Sequence, residues 1–186
     1  MAGIENLHAP QAQDTSVEDL VTSAFTTADI SLLEMVKIQA QVLVPLLKTL
    51  RAELGEERAN QLATKALREW MQKIYQEIGT QLPGSPRQKW ETIMAVGRPR
   101  IGTDIALEVL TQEAEALEFN IMGCRYADFF RQLGEPELGA LLVCNADLDV
   151  VAVGSPQVTM TRTQTIMQGA KYCDFRYQMK ADEGSD

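Results

Sequence analysis

Apolar residues recur every three or four positions along the first third of the chain. Ile30, Leu33, Val36, Ala40, Leu43, Leu47 and Leu50 fall on one stripe, the period of an amphipathic helix. The pattern predicts a helix over 29–54, capped by Asp29 and ended by Gly55. A kink or break is expected at Pro45, which lacks the N–H that the helical ladder uses. A second helix is predicted over 56–78, where Leu62, Ala66, Trp70, Ile74 and Ile78 hold a four-residue spacing and Gly79 stops the run. The segment 82–86 reads as a connection. Trp90, Ile93 and Met94 predict a shorter helix after Pro86, and 97–102, with Pro99, reads as another break. Upstream, Thr15-Ser16-Val17-Glu18 offers a capping signal for a short helix through about residue 25.

The period changes after residue 102. Segments 105–112 and 116–123 read as two strands of a hairpin joined around Glu113-Ala114-Glu115, although the Glu/Ala-rich middle equally suits a helix. Tyr126, Phe129, Phe130 and Leu133 share one face of a helix closed by Gly134. Pro136 opens another helix, with Leu138, Leu141 and Leu142 inward, ending near Asp147. Two strands follow, over 158–167 and 172–179. Helices first and strands mixed with helices afterwards point to an α+β fold, with N-terminal helices packed on a C-terminal antiparallel sheet and interleaved helices. The organisation predicted is a flexible arm over 1–15, a single domain over 16–180 and an acidic tail over 181–186. The domain divides into a helical part, 16–102, and a motif-bearing part, 103–180.

Strand alternation sorts the side chains that could carry chemistry. Cys173, Phe175 and Tyr177 face one way, and Asp174, Arg176 and Gln178 the other. Cys173 then packs as a small hydrophobe, and Asp174 with Arg176 forms a surface or cross-strand ion pair. In the preceding strand Thr159, Thr161, Thr163 and Thr165 line a solvated face. Arg162 falls among Val158, Met160 and Ile166 on the inward face. A buried guanidinium needs a carboxylate partner or an anionic ligand.

The three cysteines are Cys124, Cys144 and Cys173. Cys144 and Asp147, three apart on a helix, share a side; Arg125, directly after Cys124, would raise the thiolate fraction of that thiol. No two cysteines stand two to four residues apart as in zinc knuckles, and no glycine-rich phosphate loop is present, so neither metal nor cofactor is expected.

Composition narrows the field further. The 186 residues are 45% hydrophobic, enough for one domain with a core. A formal net charge of −9 repels phosphate backbones and anionic lipid. No stretch is long and apolar enough to span a membrane, no secretory signal opens the chain, and three unpaired cysteines fit the cytoplasm. The expected partners are a small-molecule substrate and, left open, further copies of the chain, with no nucleic acid and no membrane. The single histidine, His8, lies in the polar arm. The body therefore lacks a Ser-His-Asp triad or a Cys-His pair, and any catalysis falls to Cys, Asp, Glu, Lys, Arg, Tyr or Thr.

Cys124-Arg125-Tyr126-Ala127-Asp128, Leu133-Gly134, Cys144 with Asp147, Arg162-Thr163-Gln164-Thr165, and Gly169 ahead of Cys173-Asp174-Phe175-Arg176 follow in order. Over about 120–177 this pattern resembles the L-2-amino-thiazoline-4-carboxylic acid hydrolase family. The resemblance implies hydrolytic opening of a C–N bond in a small cyclic amidine or thiazoline carboxylate, giving a carbamoyl cysteine on the route to cysteine. That chemistry needs a nucleophile or activated water, a proton donor and a cation for the carboxylate. Residue chemistry offers Cys144 or Cys173 as nucleophile, Asp147 or Asp174 for proton transfer, and Arg162 as the fork. Thr163, Thr165, Cys124 and Arg125 complete the substrate-binding candidates. The same end faintly resembles vinyl-reductase-type small-molecule-binding domains, which implies a non-catalytic sensor whose cavity Tyr126, Phe129 and Phe130 would line.

Overall fold

The structure, a computed structural model, describes residues 30–180. The expected arm, the short helix over 16–25, the Asp29 cap, His8 and the acidic tail all lie outside the described residues.

Helix α1 (Leu32–Leu54) begins at Ser31, whose side chain accepts a hydrogen bond from the Glu34 N–H at 3.1 Å. Most of the predicted stripe is buried: Leu33, Ala40 and Leu47 are in the core, with Val36 and Leu50 packed against it, whereas Ile30 is 40% exposed and Val44 rather than Leu43 joins the core. Of the kink or break expected at Pro45, the break does not occur; α1 passes through it as one element. One missing ladder bond is outweighed by the burial of Val44 and Leu47 on either side.

Helix α2 (Glu56–Gln81) likewise runs past Gly79. That glycine is buried, and a Cβ there would stand 3.5 Å from Val153. The row Leu62-Ala66-Trp70-Ile74-Ile78 is not the core face: Trp70 is 61% exposed and Ile78 is buried. Four residues advance a helix by about 40° beyond a full turn, so the row winds from solvent to core. The side that packs carries Ala59, Ala63, Leu67, Ile74 and Tyr75.

Helix α3 (Pro86–Ile101) starts in a capping box between Ser85 and Gln88 and buries Trp90 and Ile93. It continues through Gly97 and Pro99, where a break was expected, and stops at Gly102, whose φ of +50° suits glycine.

The predicted hairpin is present as β1 (Ile105–Gln112) and β2 (Ala116–Cys124), so its Glu/Ala-rich middle is strand and turn rather than helix. With β3 (Val158–Thr161) and β4 (Cys173–Met179) they form one antiparallel sheet in the order β1-β2-β4-β3. Phe119 pairs with Phe175 across β2 and β4, their rings stacked at 5.0 Å, and Trp90 of α3 meets Tyr177 at 5.0 Å. The core lies between that sheet face and the helices. The fold is α+β, as the order of patterns predicts.

Between β2 and β3 the chain forms α4 (Arg125–Gln132), α5 (Pro136–Gly139), a π-turn over Ala140–Cys144 and α6 (Ala146–Val151). Tyr126 and Phe130 are buried as expected, while Leu133 is 45% exposed because α4 ends just before it. The helix expected to end near Asp147 continues beyond it. The strand expected over 158–167 stops after Thr161. From there, side chains of β4 replace the ladder: Asp174 accepts from the Thr163 and Gln164 N–H groups at 3.0 and 2.8 Å, and the Cys173 thiol accepts from the Ile166 N–H at 3.2 Å. Asp174 and Arg176 do not form the expected ion pair. Arg176 donates instead to the Phe119 and Phe175 carbonyls and to Asn120.

Gly139 sits where a Cβ would approach Met167 Sδ and Phe130 Cγ to 2.6 Å, whereas at Gly97, inside α3, nothing lies within 4 Å. Gly139→Ala should destabilise by about 1–3 kcal/mol, and Gly97→Ala should stabilise by about 0.5–1 kcal/mol. Urea unfolding of the two variants checks both signs.

Candidate functional site around Asp147 and Arg162

The π-turn shapes the site. Its widened ring directs the Asn145 N–H to the Ala140 carbonyl at 3.3 Å, and the Leu148 N–H then turns to the Asn145 carbonyl at 3.1 Å. In an unbroken α-helix Leu148 would bond Cys144. The Cys144 carbonyl is thus free to accept from Arg162 Nη2 at 3.0 Å. Such π insertions in helices occur often at functional sites.

Arg162 enters from the opposite direction. Alternation through β3 keeps it on the inward face with Met160, and its side chain is only 9% exposed. Nη1 donates to Asp147 Oδ2 at 2.5 Å, and the guanidinium lies 5.3 Å from the centre of the Phe175 ring. The buried cation thus has the carboxylate partner that its position demands.

Burial pushes the Asp147 carboxyl up to about 6, and the charge and hydrogen bond of Arg162 pull it only partly back. Yet 42% of that side chain remains accessible. The carboxyl thus stands beside the buried guanidinium with one side open to water.

Helix α2 packs against α6 and brings Tyr75 within electrostatic range of Asp147. Burial raises the Tyr75 hydroxyl, with Asp147 and Asp149 adding to it. Burial also raises Tyr177, where Asp147 and Tyr75 add and Arg162 opposes. Both phenols stay protonated at neutral pH and can donate hydrogen bonds. Asp149, two residues beyond Asp147, is buried and lies 3.5 Å from Arg68 of α2.

The thiols are all shifted away from reactivity. Burial pushes Cys144 up to about 12, with the Asp147 charge adding more than Arg162 removes. Cys173 is buried and raised mainly by desolvation. Cys124 is raised by desolvation too, against the Ala127 and Tyr126 backbone N–H groups. Arg125 does not activate it: its guanidinium pairs with Asp104 at 2.7 Å.

The structure therefore brings Cys144, Asp147 and Arg162 together and leaves Cys124 and Cys173 within range of the same charges. It places Asp174, Thr163 and Thr165 elsewhere. Thr163 donates its hydroxyl to Asp174 at 2.6 Å, and Thr165 exchanges hydrogen bonds with Gln168. The sequence reading did not single out Tyr75; the signal was its place in the row Ala63, Leu67, Tyr75, a polar tip on the side of α2 that packs. Surface hollows along α2, near Lys65 and Arg68, and beside α5, near Arg131 and Met167, do not include Asp147. Among the described residues no group of three or more His, Cys, Asp or Glu is arranged to hold a metal ion, and no helix is long and apolar enough to cross a membrane.

The family profile described as L-2-amino-thiazoline-4-carboxylic acid hydrolase matches residues 35–177. The chain belongs to this family. The match runs from α1 to β4, so it takes in the helices as well as the motif-bearing end where the resemblance was dense. Every residue of the site lies within it. A solved structure similar to this member of the L-2-amino-thiazoline-4-carboxylic acid hydrolase family is that of the phenol-responsive sensory domain of the transcription activator PoxR with phenol. It is 14% identical over 74% of this chain and 72% of that one, with a TM-score of 0.45. A likeness this loose transfers no residue role. No curated protein matches the sequence.

Two outcomes follow from the electrostatics. Iodoacetamide at pH 7 should label Cys144 in the native protein slowly and in urea rapidly; fast native labelling read by mass spectrometry would contradict a neutral, shielded thiol. The folded Asp147 holds its proton up to about pH 6, while the unfolded chain releases it near 3.8. Stability should therefore fall as pH rises through that window and level off above it. Urea unfolding across pH should show Asp147→Asn lacking this decline; parallel curves would count against it.

Proposed function

We propose that this protein is a hydrolase that opens a C–N bond in a small cyclic amidine or thiazoline carboxylate, such as 2-amino-thiazoline-4-carboxylate, to a carbamoyl cysteine-type product. Asp147, rather than a cysteine, manages the protons. The carrying observation is geometric: the Asp147 carboxyl is 42% accessible and is held at 2.5 Å by the buried Arg162 guanidinium, with burial raising its affinity for a proton. Family membership supplies the hydrolase class.

In this reading the Asp147 carboxylate takes a proton from water as the water oxygen bonds to the amidine carbon. For a substrate that enters as the amidinium, the neutral tetrahedral adduct releases its hydroxyl proton to solvent as the carbonyl forms, and the ring C–N bond breaks with the proton passing from Asp147 to the departing nitrogen, which leaves as an amine. An acid–base group with a pKa near the working pH suits both halves of that exchange. Cys144 works as a neutral wall, since a thiol at about 12 is a poor nucleophile at neutral pH. Arg162, whose terminal nitrogens already donate to Asp147 and the Cys144 carbonyl, orients the carboxyl instead of gripping a substrate carboxylate.

Purified protein mixed with 2-amino-thiazoline-4-carboxylate should release carbamoyl cysteine, followed by mass spectrometry. Turnover should rise with pH as Asp147 ionises near 6. Asp147→Asn should lower kcat by about 10²–10⁴-fold, and Cys144→Ser should leave it within a few-fold. Absence of turnover by folded protein would overturn the hydrolase reading; saturable binding without turnover would favour a small-molecule-binding role.

A further inference from the structure

Arg162 can orient Asp147 only if its own backbone is fixed, and the strand that delivers it has ended one residue earlier. β3 makes its last ladder pair at Thr161, opposite Arg176 of β4. The next fixed point is Asp174. Its Oδ1 accepts from the Thr163 and Gln164 N–H groups at 3.0 and 2.8 Å, and its Oδ2 accepts from the Thr163 hydroxyl at 2.6 Å. Arg162 thus sits between a ladder pair and a three-bond clamp. Phe175, the next residue of β4, points to the other face and packs on the Arg162 guanidinium. One strand holds the backbone of this arginine from outside and its head group from inside.

We propose that Asp174 is a positioning residue that sets Arg162 against Asp147 by clamping the 162–164 backbone. The inference rests on the reading of Asp147 as the proton-handling group. Asp174 itself does not touch Asp147: it lies on the outer face of the sheet, and its oxygens are engaged by the clamp. Desolvation opposes its charge, but the hydrogen bonds from Thr163 and Gln164 outweigh it and hold the carboxyl below the usual aspartate range. The clamp therefore stays ionised while Asp147 titrates. Among the described residues, the charged or titratable groups around Asp147 include Arg162 after β3, Tyr75 from α2, Tyr177 from β4, Cys144 ahead of α6, and Asp149 on α6, itself paired with Arg68, with Cys124 and Cys173 feeling the Asp147 charge from farther off. Arg162 is the cation that donates to Asp147.

The test reads Asp147 directly, without relying on turnover. Carboxyl ¹³C resonances of the full chain are followed against pH, with Asp147→Asn assigning the signal. Arg162→Gln should raise the Asp147 midpoint by about one unit or more. Asp174→Ala should raise it by about half a unit or more, with a cooperative fold retained by circular dichroism. Asp174→Asn keeps an acceptor for the two N–H groups and should fall between wild type and Asp174→Ala. If Asp174→Ala does not fold, Thr163→Val removes one clamp bond and should move the midpoint upward by less. An unchanged midpoint in the folded Asp174 or Thr163 variant, with Arg162→Gln shifted, would overturn the positioning role. No shift in Arg162→Gln would overturn the Arg162–Asp147 coupling, and with it both this inference and the role of Arg162 in the proposed mechanism.

Discussion

A guanidinium inside a protein has few tolerable arrangements, and the second half of this chain is built around one of them. Arg162 is nearly enclosed, so leaving it unpaired would be costly. Asp147, the Cys144 carbonyl and the Phe175 ring each meet part of that demand. Breaking a fully buried pair costs about 3–5 kcal/mol, and the accessible surface of Asp147 puts this one below that range. The pair is therefore better understood as fixing geometry than as a main source of stability. Stability comes from the apolar layer between the sheet and the helices, where Phe119, Phe175, Tyr177 and Trp90 stack.

Asp147 and Cys144 are the two candidate proton-handling groups beside Arg162. Desolvation moves Asp147 and Cys144 in the same direction, but with opposite consequences. It carries an aspartate from far below neutrality into the useful range, and a thiol from just above neutrality out of it. The same environment thus selects between two candidates that sequence spacing alone leaves level.

Much of the fold was legible because periodicity is local. The α1 stripe, the hairpin and the inward place of Arg162 all follow from side-chain spacing, and each is where the pattern puts it. The misses are non-local. Pro45, Gly79, Gly97 and Pro99 carry local signals to stop, yet helices pass them because packing along the whole element outweighs one weak position. The end of β3 was invisible because what replaces its ladder is a pair of side chains eleven and seven residues away, Asp174 and Cys173. Tyr75 was missed for a similar reason. Nothing near it in sequence says that α6 will bring two aspartates within electrostatic range of it.

The π-turn gives the site a dependence on chain length rather than on residue identity. Loss of a single residue between 140 and 144 would return the helix to ordinary pitch, and everything after it would rotate by about 100° relative to everything before. The Cys144 carbonyl would regain its own helical donor and close to Arg162, while Asp147 would swing to another side of the helix. Substitutions in this stretch change side chains around the Arg162–Asp147 pair; a one-residue deletion would disassemble the pair with the hydrophobic sequence almost intact.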